Sequence, residues 1–111
     1  MFSNSELTAN TSADKGGAIV ANNYSDLTFD SSLIADNNAL YGAAFRLRTG
    51  TILNLSNSVV SENTAEVSGS VVYAVTSCSL NVSHSTITAN GNDNNDDSNI
   101  FLAESYFAQI D

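Results

Sequence analysis

One phrase occurs four times in this chain. It reads SELTAN at 5–10, SLIADN at 32–37, SVVSEN at 58–63 and STITAN at 85–90. Each copy is Ser, any residue, an aliphatic residue, any two residues, then Asn. The closing asparagines, Asn10, Asn37, Asn63 and Asn90, are 27, 26 and 27 residues apart. A period this regular restricts the fold to a repeat architecture, in which each unit buries its apolar face only against its neighbours.

Each unit holds three short apolar stretches separated by polar turns. The first alternates: Leu27 and Phe29, then Leu53 and Leu55, then Leu80 and Val82. Alternation of this kind marks a strand with one buried face. Phe2 fits the Phe29 position, and Ala108 with Ile110 fits that of Leu27 with Phe29 at the start of a fifth unit. The second stretch is the repeated phrase, whose Leu7, Ile34, Val60 and Ile87 point inward. The third follows glycine or small residues, as GGAIV at 16–20, GAAFRL at 42–47 and GSVVYAV at 69–75. Glycine there permits a tight bend and close backbone approach.

Units of about 26 residues, with neither a helical period nor two-residue hairpin loops, fit coils of a parallel solenoid. The expected fold is all-β: a single-stranded right-handed parallel β-helix of about four coils of 26–28 residues, with three short strands per coil. Right-handedness follows the usual crossover rule. The coils run roughly 1–25, 26–50, 51–77 and 78–105, with a fifth beginning at 106–111. Asn10, Asn37, Asn63 and Asn90 would form a structural ladder. Stacked at one corner, they would pass side-chain hydrogen bonds from coil to coil and satisfy turn amides.

Aliphatic-x-x-Asn followed by Gly-Gly-Ala-Ile resembles the repeat of chlamydial polymorphic outer-membrane proteins. The stretch from Leu7 to Ile19 is the nearest match; later units carry Gly-Ala-Ala and then Gly-Ser-Val, and the fourth has DSNIFLAES. The resemblance implies a right-handed β-helix passenger at the cell surface or secreted, with adhesive or structural duty.

Composition narrows the function. Charged residues are 14% of the chain, about half the usual share, and the net charge is −9, from 12 acids against Lys15, Arg46 and Arg48. Such a surface repels phosphate backbones and anionic membranes, so neither nucleic acid nor membrane insertion is an expected partner. Cys78 is the only cysteine, so an intramolecular disulfide is excluded; it is expected as a buried thiol. The sequence opens inside its first repeat, and we expect a longer solenoid around it.

The β-helix also hosts polysaccharide lyases and hydrolases, which cluster carboxylates on one face with Arg, Lys or His nearby. Here Asp30, Asp36, Glu62 and Glu66 are expected on scattered turns. Arg46 and Arg48 share one strand face, where a carboxylate of a neighbouring coil can meet them. His84 is expected near a corner, and Tyr24, Tyr41, Tyr73 and Tyr106 are expected dispersed over turns and third strands. The run 91–99 gathers Asp93, Asp96 and Asp97, without the ligand spacing of a calcium loop. No catalytic residue, cofactor or metal is expected.

Sequons occur at Asn10, Asn23, Asn54 and Asn81. Asn54 and Asn81 lie between inward residues, so they should face solvent and stack. They, with Asn23, are the expected glycan acceptors in a eukaryotic secretory chain. Asn10 belongs to the inner ladder. The expected role is a non-catalytic structural or adhesive segment of an extracellular or cell-surface protein. Its partners would be neighbouring coils, further copies of itself assembling end to end, or surface glycans. The alternative is a carbohydrate-binding or polysaccharide-cleaving domain.

Overall fold

The computed structural model describes residues 1–75, 77–92, 100–103 and 107–110; for 92, 100–103 and 107–110 the description is of backbone alone. All of its regular structure is strand. The first coil holds β1 (Phe2–Ser3), β2 (Glu6–Thr8) and β3 (Ile19–Ala21). The second holds β4 (Asp26–Asp30), β5 (Leu33–Ala35), β6 (Asn38–Tyr41) and β7 (Phe45–Arg48). The third holds β8 (Ile52–Ser56), β9 (Val59–Ser61), β10 (Thr64–Ser68) and β11 (Val72–Val75). Then come β12 (Ser79–Ser83), β13 (Thr86–Thr88), β14 (Gly91–Asn92) and β15 (Ile100–Ala103), and β16 (Phe107–Ile110) returns to the first sheet.

Like strands stack on like, always in parallel. Sheet I runs β1-β4-β8-β12-β16, sheet II β2-β5-β9-β13, sheet III β6-β10-β14 and sheet IV β3-β7-β11-β15. The fold is therefore a parallel β-solenoid. Two details differ from expectation. Each full coil has four strands rather than three, because the residues after the ladder asparagine form sheet III. Its inward residues are Ala39 and Ala65, too small to mark a strand in the sequence. About three turns are complete, slightly fewer than the four coils expected. In the first coil sheet III is reduced to bridges at Thr11 and Lys15.

Registers put one apolar residue above another. Leu7, Ile34, Val60 and Ile87 form one column; Phe2, Phe29, Leu55 and Val82 form a second. The Phe2 and Phe29 rings stack at 4.6 Å, and Phe29 meets Phe45 edge-on at 5.4 Å across the core. Phe29, Phe45, Ile34, Leu47, Leu53 and Val60 have no exposed surface. Burial of each such side chain stabilises the fold by roughly 1.5–3 kcal/mol. Cys78 is a buried free thiol, its Sγ donating to the Val75 carbonyl at 3.1 Å.

The corners explain how such short strands close a coil. Asn4, Ser31, Asn57 and His84 turn sheet I into sheet II with φ of 47–51°. Ala9, Asp36, Glu62 and Ala89 turn sheet II towards sheet III with φ of 56–59°. Gly16, Gly42 and Gly69 turn into sheet IV at 66–74°. Only this last column requires glycine: a Cβ on Gly42 would lie 2.4 Å from the Phe45 carbonyl oxygen. Side chains at the other two corners point to solvent, so polar residues and alanine tolerate the left-handed region there.

Candidate functional site

The most ordered polar constellation lies at the two ends of the repeated phrase. Asn10 Nδ2 donates to Asn37 Oδ1, Asn37 Nδ2 to Asn63 Oδ1, and Asn63 Nδ2 to Asn90 Oδ1, each at 2.9 Å. The backbone N–H of each asparagine reaches the same oxygen at 2.9–3.1 Å. Nδ2 of the next asparagine also reaches back to a strand carbonyl: Asn37 to Leu7, Asn63 to Ile34, Asn90 to Val60. Asn37 and Asn63 are 1% and 0% exposed, so these bonds answer polar groups that water does not reach.

A second ladder, not foreseen from the sequence, runs through the serines that open the phrase. The N–H of Ser5, Ser32 and Ser58 donates to the Oγ of Ser32, Ser58 and Ser85 at 3.1–3.2 Å. Each Oγ is fixed by donating to the carbonyl two residues earlier, as Ser58 does to Ser56 at 2.7 Å. The signal was present in the sequence, because the serine recurs as strictly as the asparagine. In both ladders the side-chain oxygen accepts from the coil on its N-terminal side, while the asparagine Nδ2 groups also donate back to carbonyls of that coil.

On the outer face of sheet I, Asn54 and Asn81 stand opposite each other in register. Asn81 Nδ2 donates to Asn54 Oδ1 at 2.9 Å, and Asn54 Nδ2 turns towards Asp26 and Thr28 at 3.3 and 3.4 Å. Both are partly exposed, whereas Asn23 is exposed on a turn with φ of 56°. Asn10 is half-buried in the inner ladder.

The basic residues collect where sheets III and IV meet. The Arg46 guanidinium lies over the Tyr73 ring, 4.8 Å from its centroid. Tyr73 meets Tyr41 edge-on at 4.9 Å, and Lys15 Nζ lies 5.9 Å from the centre of the Tyr41 ring. Arg46 is 6% exposed and donates from one terminal nitrogen to the Leu47 carbonyl at 2.9 Å. Its Nε has no acceptor among the described residues. Burial first, and then the charge of Arg48, lower its pKa. Arg46 thus pairs with an aromatic ring where a carboxylate was expected. Tyr41 and Tyr73 meet instead of dispersing: Tyr41 closes β6 just before the Gly42 corner, and Tyr73 lies on β11 of the next coil just after the Gly69 corner.

The carboxylates also sit closer than expected. Asp36 and Glu62 hold the same corner of successive coils, both exposed, and are not scattered. Asp30 accepts from Asn57 Nδ2 and Ser56 Oγ at 2.9 Å each, bonds that lower its pKa, Asn57 first. Glu66 is exposed on β10, and His84 is exposed at its corner. Among the described residues, no group of three His, Cys, Asp or Glu could hold a metal ion. Asp93, Asp96, Asp97 and Tyr106 lie outside the described residues.

No family model, curated protein or solved structure matches the chain. What stands of the resemblance is the parallel solenoid itself.

Proposed function

We propose that this chain is a non-catalytic structural or adhesive segment of an extracellular or cell-surface solenoid, in the manner of the polymorphic outer-membrane repeats. One observation carries the reading. Among the described residues no acceptor meets the N–H of Ser85 or Asn90 at one face, and no donor reaches Asn10 Oδ1 or Ser5 Oγ at the other. Each is the group that would bond a further coil. Open parallel edges of this kind extend readily, onto more coils or another copy. The test is sedimentation and negative-stain microscopy of the 111-residue chain, with fractionation of its source cells. Filaments and a surface or secreted fraction support the reading. A permanent monomer confined to the cytosol overturns it.

A second reading, binding or cleavage of carbohydrate, is favoured by the Lys15, Tyr41, Tyr73 and Arg46 strip. Aromatic faces beside cations suit sugar rings with acidic substituents. A glycan array compared with Tyr73→Ala decides it. Binding lost in the variant supports this reading, and an array blank for both proteins excludes binding.

A further inference from the structure

We infer that Asn90 is a site of spontaneous deamidation which the asparagine ladder holds shut, and that conversion there releases β14 from β10 for good. This holds whether or not copies of the chain assemble.

The chemistry starts from one dipeptide. Asn90-Gly91 is the only Asn-Gly in the chain. The other ladder asparagines are followed by Thr11, Asn38 and Thr64, which share a register column with Gly91. A side chain at that position crowds the backbone nitrogen and hinders ring closure onto the preceding carboxamide; glycine leaves the nitrogen open. Unlike Gly16, Gly42 and Gly69, Gly91 is not demanded by its corner. It lies outside the left-handed region, and a Cβ built on it would meet no described atom within 4 Å.

The reaction needs water alone. The Gly91 nitrogen gives up its proton and bonds Asn90 Cγ. The Cγ–Nδ2 bond breaks, and ammonia leaves with that proton. The five-membered imide then takes up one water. Opening at the side-chain carbonyl gives aspartate. Opening at the main-chain carbonyl gives isoaspartate, whose main chain runs through the former side chain. Nothing is oxidised or reduced.

The folded coil engages each group the first step requires. The Gly91 N–H donates to the Asn63 carbonyl at 3.0 Å. Asn90 Nδ2, the leaving nitrogen, donates to the Val60 carbonyl at 3.0 Å. Asn90 Oδ1 accepts from the N–H and Nδ2 of Asn63, each at 2.9 Å. Closure takes the Gly91 proton and expels Nδ2, so both of their bonds must break first. Conversion therefore waits on local opening of the Asn63–Asn90 step. The described pairing of β14 with β10 spans two positions, Thr64 with Gly91 and Ala65 with Asn92, so that opening breaks few bonds.

The products do not fit back. Isoaspartate adds a methylene to the main chain between Ala89 and Gly91, which shifts Gly91 off the Asn63 carbonyl. Aspartate sets an oxygen where Nδ2 had met the Val60 carbonyl. Either adds one negative charge to a chain already at −9.

The test is ageing of the full chain at mildly alkaline pH, folded and in urea, with peptide mapping of isoaspartate and aspartate at every asparagine. In urea Asn90 should convert ahead of every other asparagine. In the folded chain its rate should fall by about tenfold or more, the factor that an opening free energy of about 1.4 kcal/mol imposes. Another asparagine converting first in urea, or equal rates in the two conditions, overturns the guarded site. Gly91→Thr, which restores the residue type of Thr11 and Thr64, should keep the melting temperature and lose the conversion. Undiminished conversion at Asn90 in that variant overturns the role given to Gly91. Hydrogen exchange of the aged chain tests the release. The Gly91 amide should exchange faster in molecules bearing isoaspartate than in unaged ones; unchanged protection overturns the release.

Discussion

Asn37 directs two donors, its backbone N–H at 3.1 Å and its Nδ2 at 2.9 Å, onto the single Oδ1 of Asn63. Asn63 repeats the gesture towards Asn90. The side-chain oxygen does for the corner what a strand carbonyl does for the ladder, and it bridges the break where the backbone turns through a positive φ.

Asn63→Ala removes the acceptor of two buried donors together with the side chain's own bonds. With about 1–3 kcal/mol for each stranded buried group, the variant should lose about 3 kcal/mol or more. Asn10→Ala, at the half-exposed end where only donors are lost, should cost less than about 1 kcal/mol. Urea unfolding of both variants checks the contrast, and equal losses would mean that the ladder carries no position-dependent energy.

Gly42→Ala should destabilise by about 2 kcal/mol or more. The left-handed region costs an L-residue about 1–2 kcal/mol, and the new Cβ would press on the Phe45 carbonyl. Ala9→Gly, at an exposed corner already left-handed, should change stability by less than about 1 kcal/mol. Thermal melts of the pair measure this directly.

Asp30 supplies an acid-side dependence. Its folded pKa lies below that of an ordinary aspartate, chiefly because Asn57 and Ser56 hydrogen-bond the carboxylate. A depressed carboxylate contributes stability above its unfolded pKa and loses it as the pH falls through the folded one. The melting temperature should therefore decline below about pH 3.8 by this contribution, and Asn57→Gly should flatten that decline.

Glycan occupancy follows from neighbouring strands. Asn54 and Asn81 are register partners about 4.8 Å apart, too close for two branched glycans side by side. Expressed through a eukaryotic secretory pathway, the folded product should carry a glycan at Asn23. It should carry one on at most one of Asn54 and Asn81, and none at Asn10. Glycopeptide mapping reads all four sites; molecules glycosylated at both Asn54 and Asn81 would contradict the stacked register.

Much of this fold is legible in the sequence because a solenoid sets like on like. The spacing of Asn10, Asn37, Asn63 and Asn90 already gives the stacking partners, and alternation at Leu53 and Leu55 gives the buried face. Sheet III is not legible, because Ala39 and Ala65 fill its thin interior with methyl groups that look like turn residues. The meeting of Arg46, Tyr73 and Tyr41 is not legible either. It brings residues of two different sheets and two different coils together around the Gly42 and Gly69 corners, which no linear spacing records.

The central claim is that each coil pairs in parallel with the one about 27 residues on. Nuclear Overhauser contacts across sheets I and II test it most directly. The account predicts backbone cross-peaks linking Leu53 to Leu80, Ile34 to Val60 and Val60 to Ile87, with a constant offset of 26 or 27 along each strand pair. Cross-peaks whose partner numbers fall as the first residue's number rises would mean antiparallel hairpins, and would contradict the solenoid outright.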